Sequence, residues 1–109
     1  MKRYCLALDL VDDEQMIAEY ESWHQKVPPA ILQSFYDSGI EKMEIYRTRN
    51  RLFMILEVSE GFSFERKEAM DLANPEVQQW EKRMSRFQQL IPGTPEGQKW
   101  VSMKKLFEL

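Results

Sequence analysis

Two side chains in this sequence could move a proton between oxygens: His24, the only histidine in 109 residues, and Tyr20, four residues before it. On a helix, residues at i and i+4 lie one turn apart on the same face, so a phenol and an imidazole would stand side by side. A neutral imidazole donates a proton from one nitrogen and accepts one at the other. Its reference pKa of about 6.5 lets it do both near neutrality. The pair reads as the working part of a small-molecule site. A buried histidine satisfied by a backbone carbonyl is the other reading that spacing alone leaves open.

Composition narrows what surrounds that pair. A chain of this length supports one domain around one core, spanning residues 1–109. Hydrophobic residues make up 43% and charged residues 30%, ordinary for a folded globular protein. Fifteen basic and 18 acidic side chains give a net charge of −3, mixed along the chain, which disfavours a nucleic-acid partner. No apolar run is long enough to span a membrane, and the N-terminal stretch lacks a signal-type cleavage site. A lone Cys5 cannot form an internal disulfide, so the expected compartment is the cytoplasm. One cysteine and one histidine also argue against a transition-metal site.

The elements that must position the pair follow in order. Arg3 to Val11 alternates, with Tyr4, Leu6, Leu8 and Leu10 on one side and small or polar residues on the other, the pattern of a strand. Asp12 is the expected cap of the first helix, with Gln15 completing a capping box. Met16, Ile17, Tyr20, His24 and Val27 then recur at helical spacing. Pro28-Pro29 closes this helix and opens a second, which carries Ile31, Leu32, Phe35 and Tyr36 and stops at Gly39. Glu41 to Thr48 and Leu52 to Val58 read as a hairpin of strands, with Asn50 as the turn residue tolerant of positive φ. Met43, Ile45 and Arg47 share one face of its first strand. Ser63 and Asn74 cap two more helical segments. The last of these is expected to carry Val77, Trp80, Met84, Phe87 and Ile91 on one side. After a proline- and glycine-rich loop from Pro92 to Lys99, the alternation from Trp100 to Leu109 reads as a final strand.

This order is the βαββαβ plan of an α+β, ferredoxin-like fold: four antiparallel strands with helices on one face. An apolar second face would need its own cover, and in a chain this small a second copy supplies it. A homodimer with sheets face to face is therefore expected.

Several segments carry a resemblance. EYESWH, a proline-started helix, a glycine, MEIYR-x-x-NRLFMILEV, NPEVQQWEKRM and the closing Leu-Phe-Glu-Leu, in that order and spacing, resemble the L-rhamnose mutarotase family over nearly the whole chain. LDLVDD, GFSFERK and NPEVQQWE are more similar to its L-fucose mutarotase branch. The resemblance implies a dimeric ferredoxin-like fold of the α/β-barrel type. It implies interconversion of the α and β anomers of a 6-deoxy-L-hexose, without metal or cofactor. Tyr20 and His24 match the family's substrate-contacting tyrosine and proton-donating histidine. Trp80 matches the first of its tryptophan pair, and the second position is Glu81 here. Met43 stands where the family has a pocket tyrosine, Pro28 where it has a tryptophan, and Arg47 in place of an apolar residue. Met43, Arg47 and Glu81 thereby become candidate contacts that set which hydroxyls are read. Trp80 would offer an apolar plate for the sugar's C–H face. Two competing classes share the element order: a ferredoxin-like haem-binding or monooxygenase-type dimer with His24 as axial ligand, and a non-catalytic module that binds a small ligand.

Overall fold

The computed structural model describes residues 2–109. The first alternation becomes strand β1 (Lys2–Leu10), whose Leu6, Leu8 and Leu10 are buried on one face. Two helices follow, α1 (Glu14–Gln25) and α2 (Pro29–Asp37), then the hairpin β2 (Ile40–Thr48) and β3 (Arg51–Val58). Helices α3 (Phe64–Leu72) and α4 (Pro75–Ser85) come next, and two short strands, β4 (Gln88–Gln89) and β5 (Val101–Ser102), end the order.

The sheet is antiparallel with the order β2-β3-β1-β4, and β5 also pairs with β1. This is the ferredoxin-like arrangement with its edge strand in two pieces. Gln88-Gln89 covers β1 at Leu10 and Asp9, and Val101-Ser102 covers it at Ala7 and Leu6. The expected ten-residue strand from Trp100 is thus only two residues long, extended by one further bond from Met103 N–H to the Cys5 carbonyl at 2.8 Å. Beyond it the chain leaves the edge of β1 without pairing, and Leu106, Phe107 and Leu109 stand exposed. A period of two marks a residue pattern suited to a sheet, whereas a strand needs a neighbour to bond to.

Register places the buried side chains. Leu6 faces Met54 and Leu8 faces Leu52 across β1–β3, while Ile45 faces Met54 and Arg47 faces Leu52 across β2–β3. One sheet face therefore carries Leu6, Leu8, Leu10, Leu52, Met54, Leu56 and Val58, all buried. Two clusters form on it. In the first, Phe35 of α2 packs against Leu6, Ile40, Met54, Leu56 and Val58. In the second, Tyr20 of α1 and Met84 of α4 join Leu10, Leu52 and Phe87. At about 1.5–3 kcal/mol for each large apolar side chain removed from water, these clusters are the main force holding helices to sheet. The opposite face carries Cys5, Ala7, Phe53 and Ile55, each half-buried, with ion pairs Arg3–Glu57 and Arg51–Asp9 among them.

Three local expectations are corrected. The cap of α1 is Asp13, whose carboxylate accepts from Met16 N–H at 3.0 Å. Position N3 of that helix is then Met16, so Gln15 completes no capping box. In the hairpin turn the positive φ falls on Arg49, at 52°, and Asn50 instead donates its side-chain amide to the Leu10 carbonyl at 3.0 Å. Helix α4 ends at Ser85, so Phe87 reaches the core from the turn into β4, and Ile91 lies beyond the helix. Gly39 behaves as the spacing predicts, with φ at +99° just past α2.

Candidate active site

Helix α1 owes its position to both ends. Asp13 caps the start, and Pro28-Pro29 prevents its continuation into α2. Its inner stripe, with Tyr20 only 4% exposed, is pinned against Leu10, Leu52, Met84 and Phe87. His24, one turn on, therefore lies at the boundary between core and solvent and is half-buried.

The two rings lie against each other, with centroids 4.3 Å apart and planes inclined by 36°. The hydrogen bond between the residues runs through the backbone: His24 Nδ1 is 2.9 Å from the Tyr20 carbonyl oxygen. A carbonyl can only accept, so Nδ1 carries the hydrogen. The neutral imidazole must then hold its free lone pair on Nε2. That nitrogen is a base when the ring is neutral and a donor when it is charged. The buried-histidine reading is thus half true, since one nitrogen is satisfied by a backbone carbonyl and the other has no hydrogen-bond partner among the described residues.

The phenol of Tyr20 is engaged elsewhere. Burial pushes its pKa up to about 12, with the Gln88 side chain offsetting part of the rise. Tyr20 therefore keeps its proton at any ordinary pH. Gln88 Oε1 is buried beside it and, among the described residues, lacks a hydrogen-bond partner.

A cavity of about 460 Å³ opens beside the imidazole. Tyr20, Glu21, His24 and Gln25 of α1 form one wall, and Ile45, Tyr46, Arg47 and Leu52 of the hairpin form the other. Its size and its mix of apolar floor and convergent polar groups suit a small polar ligand. Trp80 also meets the imidazole, edge to face, with ring centroids 5.6 Å apart and planes inclined by 67°. Trp23 meets Trp80 edge-on at 6.5 Å, and the Arg83 guanidinium lies 4.4 Å over the Trp23 ring. These contacts restrain the imidazole plane.

The sequence-derived candidates thus divide. Tyr20, His24 and Arg47 line one cavity. Trp80 touches His24 rather than the cavity wall. Met43 packs into the cluster around Leu6 and Leu56, away from the imidazole. Glu81 is exposed, and its charged neighbours are Asp71, Lys67 and Lys99. The roughly 100° per residue of a helix turns it away from the face that Trp80 presents. Pro28 serves as the residue before α2. Glu21, Gln25, Ile45, Tyr46 and Leu52 complete the cavity, and none of the five is a candidate from sequence. The hairpin register could have given Leu52, because a turn at Arg49-Asn50 puts it opposite Arg47.

Among the described residues no three His, Cys, Asp or Glu side chains gather in a way that could hold a metal ion. No helix among them is long and apolar enough to cross a membrane.

Fold and side chains together define an α+β protein of the ferredoxin-like class with an imidazole beside a cavity of small-molecule size. Comparison with known proteins narrows this. The sequence pattern of the L-rhamnose mutarotase family matches residues 3–109. An L-fucose mutarotase from Xanthomonas campestris pv. campestris is 40% identical over 111 residues, spanning 100% of this chain and 89% of that protein. The crystal structure of an L-rhamnose mutarotase from Formosa agariphila superposes with a TM-score of 0.73 at 20% identity, covering 100% of this chain and 99% of that one. A tetracenomycin F2 cyclase from Streptomyces glaucescens shares the fold at a TM-score of 0.58 and 12% identity, over 100% and 97% of the two chains. The chain belongs to the L-rhamnose mutarotase family. It is accordingly an isomerase that interconverts the anomers of a 6-deoxy-hexose, and the haem-binding and purely ligand-binding readings are not favoured.

Proposed function

We propose that this mutarotase acts on L-fucose, with His24 as the group that moves the proton. The supporting observation is the orientation of the imidazole. Its Nδ1–H is held by the Tyr20 carbonyl at 2.9 Å, which leaves Nε2 free on a residue that lines a cavity of about 460 Å³. Likeness over the full chain to an L-fucose mutarotase, at 40% identity, supports the choice of sugar.

Ring opening requires a proton to leave the anomeric hydroxyl and one to reach the ring oxygen. His24 Nε2 takes the proton from O1, the O–H electron pair becomes the second bond of C1=O1, and the C1–O5 bond breaks. O5 takes the proton back from the imidazolium. Rotation about C1–C2 exposes the other aldehyde face, and the reverse sequence closes the ring. Tyr20 orients the imidazole through its carbonyl and its ring face. The cavity's apolar floor at Ile45 and Leu52 receives the C–H face of the sugar, and Arg47 contacts its hydroxyls. Trp80 supports the imidazole. Glu81 and Met43 do not line this cavity, and the reading gives them no contact with the sugar.

Exchange between the α and β anomeric protons at equilibrium, followed by saturation transfer, tests the reading on L-fucose, L-rhamnose, D-galactose and D-ribose. Exchange on L-fucose above the uncatalysed rate is expected, and fastest exchange on another sugar would reassign the substrate. We further infer a homodimer in the cytoplasm, from the half-buried apolar residues on the sheet face away from the helix cores and from a single free cysteine.

A further inference from the structure

Arg47 breaks the pattern of its own sheet face. Its neighbours there, Met43, Ile45 and the paired Leu52, are apolar, and the face as a whole is the core. A charge placed against a local rule needs a compensating role. Stability is a weak candidate. The Arg47 and Glu21 side chains are 35% and 50% exposed, and ion pairs so accessible to water contribute little.

The geometry of the pair is more informative. Arg47 Nε donates to Glu21 Oε1 at 2.5 Å and Nη1 donates to the Arg49 carbonyl at 2.6 Å. A guanidinium has five N–H groups, so three stay free, in a plane the two bonds have already set. Glu21 keeps its second oxygen as a free acceptor. Both residues line the cavity beside His24. Both also line a second cavity of about 410 Å³ bounded by Asp12, Glu14, Ile17, Ala18 and Arg49. The pair therefore lies between the two, spanning from α1 to β2, and forms part of the wall of the cavity beside His24.

We propose that the Glu21–Arg47 ion pair is the element that selects the sugar, by reading a vicinal diol of the pyranose ring. One hydroxyl of the diol donates to Glu21 and its neighbour accepts from Arg47. An acceptor and a donor set side by side at fixed spacing fit a diol of one configuration at one position of the bound ring and pair only one hydroxyl of a diol of the other configuration there. L-Fucose and L-rhamnose differ in the configuration of their ring hydroxyls, so this contact discriminates between them. The inference rests on the mutarotase reading above and adds the residues that decide its substrate.

The test compares kcat/KM for anomer exchange of L-fucose and L-rhamnose in the unaltered protein, in Glu21→Gln, in Arg47→Met, in the double variant, and in the charge-reversed pair Glu21→Arg/Arg47→Glu. Each single change should lower the preference between the two sugars about tenfold, mainly through KM. The double variant should lose no more than the worse single one, because the two residues act as one contact. The charge-reversed pair restores a tie between α1 and β2 with donor and acceptor exchanged, and its preference should stay lost. Recovery of the preference by charge reversal would make the pair only a structural tie and overturn the proposal. So would an unchanged preference in folded, active single variants. An unaltered protein that exchanges neither sugar would overturn this proposal and the choice of substrate together.

Discussion

At the scale of single residues the account turns on which nitrogen of His24 is free. The Tyr20 carbonyl holds Nδ1–H, which leaves Nε2 as the nitrogen to which we assign the transfer. His24→Ala should slow anomer exchange by roughly 10²–10⁴-fold, the usual worth of one positioned acid–base group, with an unchanged circular-dichroism spectrum. Tyr20 makes a second prediction. Its phenol holds its proton to about 12 in the folded protein, against an ordinary value of 10.0. Because the folded state keeps this proton longer than the unfolded chain does, the stability it contributes is complete below pH 10. It is lost as the pH climbs toward 12. Ultraviolet titration of phenolate should therefore show a late-titrating tyrosine that disappears in Tyr20→Phe. The sequence made the pair visible through its spacing of four. Spacing could not show that the bond joining the residues uses the backbone, or that the phenol turns to Gln88 on a strand it had not revealed. Glu81 and Met43 were legible only as positions in a resemblance, and packing placed both away from the cavity.

Elements position these residues, and their ends are where sequence and structure diverge. Helix α1 is set by Asp13 and by Pro28-Pro29, and the prolines were read directly because their covalent geometry admits few conformations. The choice between Asp12 and Asp13 as cap depends on where β1 releases the chain, which local chemistry does not specify. Asp13→Ala should cost about 1 kcal/mol in urea unfolding, and Asp12→Ala clearly less. Gly39 was legible for the same reason as the prolines. A side chain there would meet Ser59 Oγ at 2.9 Å on a backbone with φ at +99°, so Gly39→Ala should lower stability by more than about 1 kcal/mol. The final strand misled because its alternation is real but only Val101, Ser102 and the Met103 N–H engage β1, while Gln88-Gln89 supplies the edge at Asp9 and Leu10. Those two glutamines carry no strand signal of their own, and only their pairing with Asp9 and Leu10 defines them.

At the scale of the molecule, the element order yielded the sheet and its coverage by helices, since few topologies satisfy short, antiparallel connections. The face away from the helix cores explains the dimer we infer. Phe53, Ile55, Ala7 and Cys5 form a half-buried strip on it, with Tyr46 exposed nearby. Ile55→Glu should shift the protein toward monomer in light scattering, whereas an unaltered protein that is monomeric at every concentration would refute the dimer. His24, Ile45, Arg47 and Leu52 belong to the helix-packed side of the sheet, whereas Tyr46, paired with Phe53, borders both the cavity and the strip we assign to the dimer.

The most direct test is the exchange spectrum of L-fucose at anomeric equilibrium, recorded with the unaltered protein and with His24→Ala at equal concentration. Cross-peaks between the α and β anomeric protons should build up with the former and fall to near the protein-free level with the latter. Equal build-up with both, in a folded variant, would contradict the assignment of proton transfer to His24.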